Sequence, residues 1–377
     1  MKSIIELARP EIRELPECVH GGGVWDVAEE FQVQSGHILD FSSNINPLGP
    51  SSKALEAIKS SLWRIPFYPE SNSNKLRDAI AQFIGGIKRE NVIVGNGSCE
   101  LIHLFAEVFI KRGMGALIPV PTFSEYERAV KKMGGKTRFL GPAKDFIIHT
   151  EDLLDKVDSK TQVLFLCNPN NPTSVMVTQN DIVKLVQEAL TKDIVVFVDE
   201  DFIEFVDKQK RFSLASEVET YPNLFILRSF TKVFGLTGLR VGYGIACKDM
   251  INLLFRVKPP WNVNCLAQAA AVATLEDLEH LKRTEKLIGE GKKFLLRELN
   301  RIDGFRVFPA DANFIFIDIR QSGFTASRLR EKMLAHNILI RDCSSFRSLD
   351  EYYIRIAIRT RWENDRLLEA VRKVVGK

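Results

Sequence analysis

Lys232 is the residue around which most of the sequence's chemistry can be organised. It follows the apolar run Leu224–Leu227 and precedes a glycine-rich stretch, in Arg228-Ser-Phe-Thr-Lys-Val-Phe-Gly-Leu-Thr-Gly-Leu-Arg240. A lysine at a strand exit can be held partly desolvated. That lowers its pKa and leaves a neutral amine able to form a Schiff base. Ser229 and Thr231 offer hydroxyl donors and Arg240 a guanidinium, a set suited to a phosphate. Upstream, Ile194-Val-Val-Phe-Val-Asp199-Glu200 is an apolar run ending in carboxylates. Ligands of open α/β sheets sit at the carboxyl ends of strands, where Asp199 can keep a ring nitrogen protonated. Asn168-Pro-Asn-Asn-Pro-Thr173 is a rigid turn after another apolar run, and Asn171 within it can donate to a ring hydroxyl. Gly95-Asn-Gly-Ser-Cys-Glu100 joins a short apolar run to a helix. Backbone amides at the start of such a helix can bind a phosphate. Phe123 can stack on an aromatic ring. Taken singly, each has a plainer reading: a loop lysine, a capping aspartate, an Asn-Pro turn, a core phenylalanine.

The elements that must position these residues show as alternating patterns. Short apolar runs at Val92–Val94, Ala116–Val120, Gln162–Cys167, Ile194–Val198, Leu224–Leu227 and Val241–Ala246 predict strands. Amphipathic stretches such as Glu100–Ile110 and Asp181–Thr191 predict helices between them. The alternation implies an α/β fold with a mainly parallel, mixed sheet flanked by helices. The C-terminal third reads differently. A long helical region from about Asn264 to Asn300 precedes strand candidates Phe314–Ile319, Ile338–Ile340 and Tyr353–Ile358, with helices around Ala326–His336 and Asn364–Val375. The expected division is a large ligand-binding domain over 46–265 and a smaller α/β domain formed by 1–45 with 266–377.

Composition excludes several classes. The 377 residues are 45% hydrophobic, enough for more than one core. With 52 basic and 48 acidic side chains the net charge is +4, which argues against a dedicated nucleic-acid surface. Six cysteines form no C-x-x-C pair and six histidines no H-E-x-x-H motif, so neither a disulfide frame nor a metal is expected. No apolar stretch is long enough to span a membrane, and charged residues interrupt the start where a signal peptide needs an apolar segment. A soluble, cytoplasmic protein is expected.

The ordered set Gly95-Asn-Gly-Ser98, Asn168-Pro-x-Asn-Pro172, Asp199-Glu200, Ser229-x-Thr-Lys232 and Gly238-Leu-Arg240 resembles the fold-type I pyridoxal-phosphate (PLP) enzymes of the class I/II aminotransferase superfamily. The resemblance implies that Lys232 carries the cofactor as a Schiff base, that Asp199 partners its pyridine nitrogen and that Asn171 donates to its O3′. It implies a phosphate site of Ser98, Cys99, Ser229, Thr231 and Arg240, with Phe123 stacked on the ring. It also implies a homodimer with shared active sites, in which Tyr68, in Phe67-Tyr-Pro69, reaches the phosphate of the neighbouring subunit's cofactor.

Within that superfamily, His20-Gly-Gly22, Asp40-Phe-Ser-Ser-Asn-Ile-Asn-Pro-Leu-Gly49, Pro259-Pro-Trp-Asn-Val-Asn264, Ile340-Arg-Asp-Cys-Ser-Ser-Phe346 and Tyr353–Arg361 resemble the L-threonine-O-3-phosphate decarboxylases of cobalamin synthesis. Histidinol-phosphate aminotransferases are their sister group. Phe202 leans the same way, because many aminotransferases carry a tyrosine at that distance after the aspartate. The resemblance implies decarboxylation of L-threonine O-3-phosphate to (R)-1-aminopropan-2-yl phosphate, with histidinol-phosphate transamination or phosphoserine decarboxylation as alternatives. A PLP-binding regulator would carry a helix-turn-helix domain ahead, and His20-Gly-Gly22 comes too early for one. Some residues depart from the pattern: Ser174 replaces the usual glycine after Asn-Pro-Thr, Asp201 stands where a small residue is usual, and Val233-Phe-Gly-Leu-Thr237 differs from the usual decarboxylase stretch. Arg355 aligns with the carboxylate-binding arginine of aminotransferases. The two-residue period of a strand would put Arg355 and Arg359 on one face, with Arg341 and Arg347 on the preceding segment. The expected substrate site is Arg341, Arg355 and Arg359 with His20, Asn44 and Asn171.

Overall fold

The structure, a computed structural model, describes residues 3–15, 23–30 and 35–376. Its strands, in chain order, are β1 (Leu39–Asp40), β2 (Val92–Gly95), β3 (Gly115–Pro119), β4 (Lys136–Leu140), β5 (Thr161–Cys167), β6 (Val195–Asp199), β7 (Leu224–Ser229), β8 (Gly242–Ala246), β9 (Arg306–Val307), β10 (Phe314–Asp318), β11 (Ile338–Leu339), β12 (Arg341–Asp342) and β13 (Tyr353–Ala357). Seven of them form one sheet in the order β2-β8-β7-β6-β5-β3-β4. The run from β7 to β4 is parallel, and β8 is antiparallel to both its neighbours.

Every residue of β2, β3, β7 and β8 is buried. Strands covered by helices on both faces read as continuous apolar runs rather than alternating ones, which is why they were legible. One face carries a cluster of fully buried aromatics: Phe105, Phe165, Phe197 and Phe225, with Tyr126 stacked on Phe165 at 5.2 Å. β4 escaped the sequence reading. It is Lys-Thr-Arg-Phe-Leu, part-exposed at the sheet's edge, and an edge strand can hold charge where a central one cannot.

The functional consequence lies at the carboxyl ends. Cys167 pairs with Asp199, and Asp199 with Leu227, so the segments leaving β5, β6 and β7 emerge side by side. Those segments carry Asn171, Asp201 and Lys232.

The C-terminal third forms a four-stranded antiparallel sheet, β12-β13-β10-β9. The expected continuous helix before it is two helices, Cys265–Leu275 and Leu278–Leu299. Asp277 breaks the run and caps the second, accepting from the His280 N–H at 3.2 Å. β1 pairs in parallel with β11, and Phe41 C=O accepts from Ala357 N–H at 2.8 Å. From there Ser42–Gly49 crosses to the lysine segment, where Asn46 N–H donates to Lys232 C=O at 3.0 Å. Gly235 (φ +68°) allows this approach, since a Cβ there would lie 2.6 Å from the Gly49 carbonyl carbon. No helix among the described residues is long and apolar enough to cross a membrane.

Candidate active site

Lys232, Asp199, Asp201, Asn171, Thr231, Arg240, Ser98, Cys99, Phe123 and Phe202 line one cavity of about 110 Å³. Lys232 lies over the Phe202 ring, its Nζ 5.7 Å from the centroid. Burial pushes its ammonium below the ordinary lysine range; Asp201 opposes that and Arg355 adds to it. Asp199 Oδ2 accepts from the Tyr126 hydroxyl at 2.6 Å, and Oδ1 from the Asp201 N–H at 2.9 Å. Burial and then the Asp201 charge push Asp199 up to about 8, against the lowering effect of the Tyr126 hydrogen bond. Burial, then the charges of Glu125 and Asp201, push the Cys99 thiol up to about 11, so it is no nucleophile at neutral pH.

The wall opposite the lysine segment is built by backbone. Gly97 has φ +81°, and a Cβ there would lie 2.6 Å from Arg240 Nη2. A Cβ on Gly242 would lie 2.7 Å from Ser98 N. Glycine at both positions lets Arg240 and the first amides of helix Ser98–Phe109 crowd together, an anion cradle at a helix start. Arg240 itself adopts φ +55° and donates to Thr237 C=O at 3.1 Å. Ser229 lies beneath this wall, its Oγ accepting from Thr231 N–H at 3.2 Å.

The small cavity opens into a cleft of about 520 Å³, to which Asn44, Arg341 and Arg355 contribute. Arg341 and Arg355 are direct partners across β12 and β13. Arg355 donates Nη2 to Ser42 C=O at 2.6 Å and Nη1 to Asn171 Oδ1. The bond to Asn171 takes up the amide carbonyl, and the donors expected for a ring hydroxyl are on its other atom. Burial pushes Arg355 down to about 10, and its Nε is buried without a hydrogen-bond partner. Asn44 Oδ1 is a second such buried atom in this cleft.

Not every expected residue arrives. Arg359 is not among the cleft's lining residues: its Nε and Nη2 bind Glu363 at 2.8 and 2.6 Å, and Nη1 donates to Asp40 C=O. β13 ends at Ala357, so the two-residue alternation does not extend to Arg359, which instead secures the start of the last helix. Arg347 forms a bidentate pair with Glu127 across a neighbouring cavity. Tyr68 is 80% exposed and stacks on Trp261 at 4.7 Å, outside its own chain's cleft. His20 lies outside the described residues.

Residues 36–371 match the model of the family aminotransferase class I and II. The chain belongs to that family. It is 35% identical to a histidinol-phosphate aminotransferase from Methanosphaera stadtmanae over 97% of this chain and 98% of that one. It is 38% identical to a protein from Caldanaerobacter subterraneus subsp. tengcongensis named provisionally as a threonine-phosphate decarboxylase, over 94% and 93%. The histidinol-phosphate aminotransferase from Sinorhizobium meliloti, solved with pyridoxal-5′-phosphate, shares the fold with a TM-score of 0.88 at 22% identity, covering 97% of each chain.

The cofactor of this class I and II enzyme is therefore PLP. The cavity suits it. An amine, two buried carboxylates, an amide, three aromatic rings and a glycine-walled anion cradle meet in one space. Four contributors escaped the sequence reading as site residues. Tyr126 carried no assignment, and Asp201 showed only as a departure from pattern. Asn46 and Thr237 act on the backbone around Lys232, the latter donating its hydroxyl to Thr231 C=O at 3.0 Å. Motif spacing carries no signal for such contacts.

Proposed function

We propose that this chain is a PLP-dependent decarboxylase of L-threonine O-3-phosphate, yielding carbon dioxide and (R)-1-aminopropan-2-yl phosphate, the aminopropanol linker of cobalamin synthesis. The observation that carries the reading is the pair Arg341 and Arg355, opposed across two strands on the same cleft as Lys232. Two guanidinium groups suit a substrate with two anions, a carboxylate and a phosphate. Histidinol phosphate itself carries only the phosphate, and in its transamination the second guanidinium would serve the keto-acid acceptor. Phe202, with no hydroxyl to offer beside Lys232, and the decarboxylase-named relative support the same reading.

In this reading Lys232 binds the cofactor, Asp199 holds the proton at its ring nitrogen and Asn171 donates to its O3′. Ser98, Cys99, Ser229, Thr231 and Arg240 hold its phosphate, and Phe123 covers its ring. When bound, PLP supplies an electron sink for the pair left behind at the substrate α-carbon. The orientation in which the substrate is held would select which bond to its α-carbon breaks. Arg341 and Arg355, with Asn44, would fix both anions and so set the orientation of the substrate carboxylate. The Lys232 amine would return a proton to the α-carbon after carbon dioxide leaves. Phe202 keeps water from the lysine nitrogen.

The same reading places the cofactor in a domain over 46–265, with 1–45 and 266–377 as the smaller one, in a soluble cytoplasmic homodimer. The exposed Trp63, Phe67 and Tyr68 form an apolar surface suited to a second copy, through which Tyr68 reaches the partner's cofactor.

Incubation with L-threonine O-3-phosphate alone should release carbon dioxide with no keto-acid acceptor. A requirement for 2-oxoglutarate would sink the reading and favour the second one, histidinol-phosphate transamination, which the recurrence of that name among relatives at 31–35% identity supports. Phosphoserine, lacking one methyl group, should be a poorer substrate by about 10–200-fold.

A further inference from the structure

Asp201 is a carboxylate that the family's cofactor chemistry does not call for. Its N–H bond to Asp199 fixes its backbone, and its side chain, 9% exposed, turns into the cofactor cavity. Oδ2 lies 3.5 Å from Ser98 Oγ, and Oδ1 is buried with no hydrogen-bond partner. A buried carboxylate oxygen left unsatisfied is destabilising, so its retention points to a partner within the cavity.

The groups that face Asp201 and Lys232 come from several elements. Lys232 arrives from the segment after β7 and Ser229 from the end of β7, Arg240 from the turn before β8, Ser98 and Cys99 from the helix after β2, and Asp199 from β6, while Arg355 on β13 opposes a proton on Lys232. Of the two cations facing Asp201, Arg240 is committed to the Gly97 wall, where the cofactor phosphate needs it. Lys232 has no such commitment, and Asp201 is the carboxylate whose charge acts on it most strongly. The two neighbouring carboxylates do not share the burden equally. Asp199 is driven toward its protonated form by burial and by Asp201. Asp201 is raised by its own burial, but Lys232, the Ser229 and Ser98 hydroxyls and Arg240 all favour its anion.

We propose that the Asp201 carboxylate is the counter-charge of the Lys232 nitrogen, holding that nitrogen protonated where a small residue at position 201 would let the proton go. Asp201 is thus a positioning residue for a proton, acting through Lys232. The inference rests on the family's cofactor and not on the identity of the substrate, so failure of the decarboxylase reading leaves it standing.

The test is a pH titration of the visible absorption band of the lysine-bound cofactor in holoenzyme, without substrate. An opposite charge at close range shifts a titration by roughly one unit or more. Asp201→Asn, which keeps the shape, and Asp201→Ala should both titrate about one pH unit lower than the parent. In cofactor-free protein, cofactor uptake needs the neutral amine, so its rate should reach its plateau at correspondingly lower pH in both variants. A midpoint that stays where the parent has it, or moves up, in Asp201→Asn overturns the proposal. A role confined to packing would change the amount of cofactor bound and leave the midpoint alone. The Asn variant decides the matter even if the Ala variant does not fold.

Discussion

The two halves of the cleft are built differently. Asn171, Asp199 and Lys232 stand on or just beyond three adjacent strand ends of one buried sheet, whose register fixes their spacing. Arg341 and Arg355 stand on a separate antiparallel sheet, and Asn44 on the crossing that ties the two together. The cofactor half is rigid because its positions are set by strands covered on both faces. The proposed substrate half can vary without disturbing it, since its two arginines stand on a separate sheet and its amide on a loop. A shared cofactor half with an adjustable anion-binding half accounts for how relatives of similar overall identity carry the names of different reactions.

The sharpest way to break that division is to strike each half and ask whether the other responds. Lys232→Ala should abolish turnover, by roughly 10³-fold or more, because on the proposed reading the attachment and the proton carrier are lost together. Binding of the substrate's anions should survive, measured by calorimetry with L-threonine O-3-phosphate on the cofactor-free variant. Loss of that binding would mean that the halves are not separable. Arg355→Ala is the reciprocal change. Losing one charged hydrogen-bonding group should lower kcat/KM by about 10–100-fold. The visible cofactor band should remain, since Asn171 is the residue of the cofactor half to which Arg355 is hydrogen-bonded. A lost band would place Arg355 among the cofactor's own supports.

The same division explains what could be read in advance. The α/β class and six of the seven strands of the large sheet follow from apolar runs, because burial on both faces leaves no polar side to confuse the pattern. Lys232, Asp199, Asn171, Thr231 and Arg240 were legible because short-range sequence context places them and the sheet register then brings them into one cavity. Arg359 was misplaced because strand periodicity was carried two residues past the strand's end. Tyr126 reaches Asp199 across 73 residues of sequence, a contact that exists only after helix Glu125–Lys132 has packed. Asp201 was seen as an anomaly, but its meaning needed the cavity.

Asp199 offers a sharper probe of the cofactor half alone, through stability rather than turnover. Its folded-state pKa of about 8 lies above the ordinary aspartate value near 4. Between those values the folded protein holds a proton that the unfolded chain has lost. Its contribution is therefore complete below about pH 4 and is lost as pH rises through about 8. Cofactor-free protein should lose denaturant resistance over this window, and Asp199→Asn should lose less. Identical pH profiles for the two proteins would show that the carboxylate is already ionised in the fold.

The smallest expected effect lies at the seam. Asn46 is buried where the halves meet. Its Nδ2 donates to Val233 C=O at 2.7 Å and to Thr284 Oγ1 at 2.8 Å, while its N–H holds Lys232 C=O. Thr284 belongs to helix Leu278–Leu299, so one side chain couples the lysine segment to the C-terminal third. Asn46→Ala leaves buried groups unpaired on both sides and should cost about 1–3 kcal/mol of stability. Its functional signature distinguishes it from a variant in either half. Cofactor affinity and KM should weaken together, each by less than about tenfold, since about 1.4 kcal/mol corresponds to a factor of ten. A change in KM with cofactor affinity intact would assign Asn46 to the substrate half, and the reverse would assign it to the cofactor half. Only a joint change fits a residue that holds the lysine backbone in register with the wall that carries the arginines.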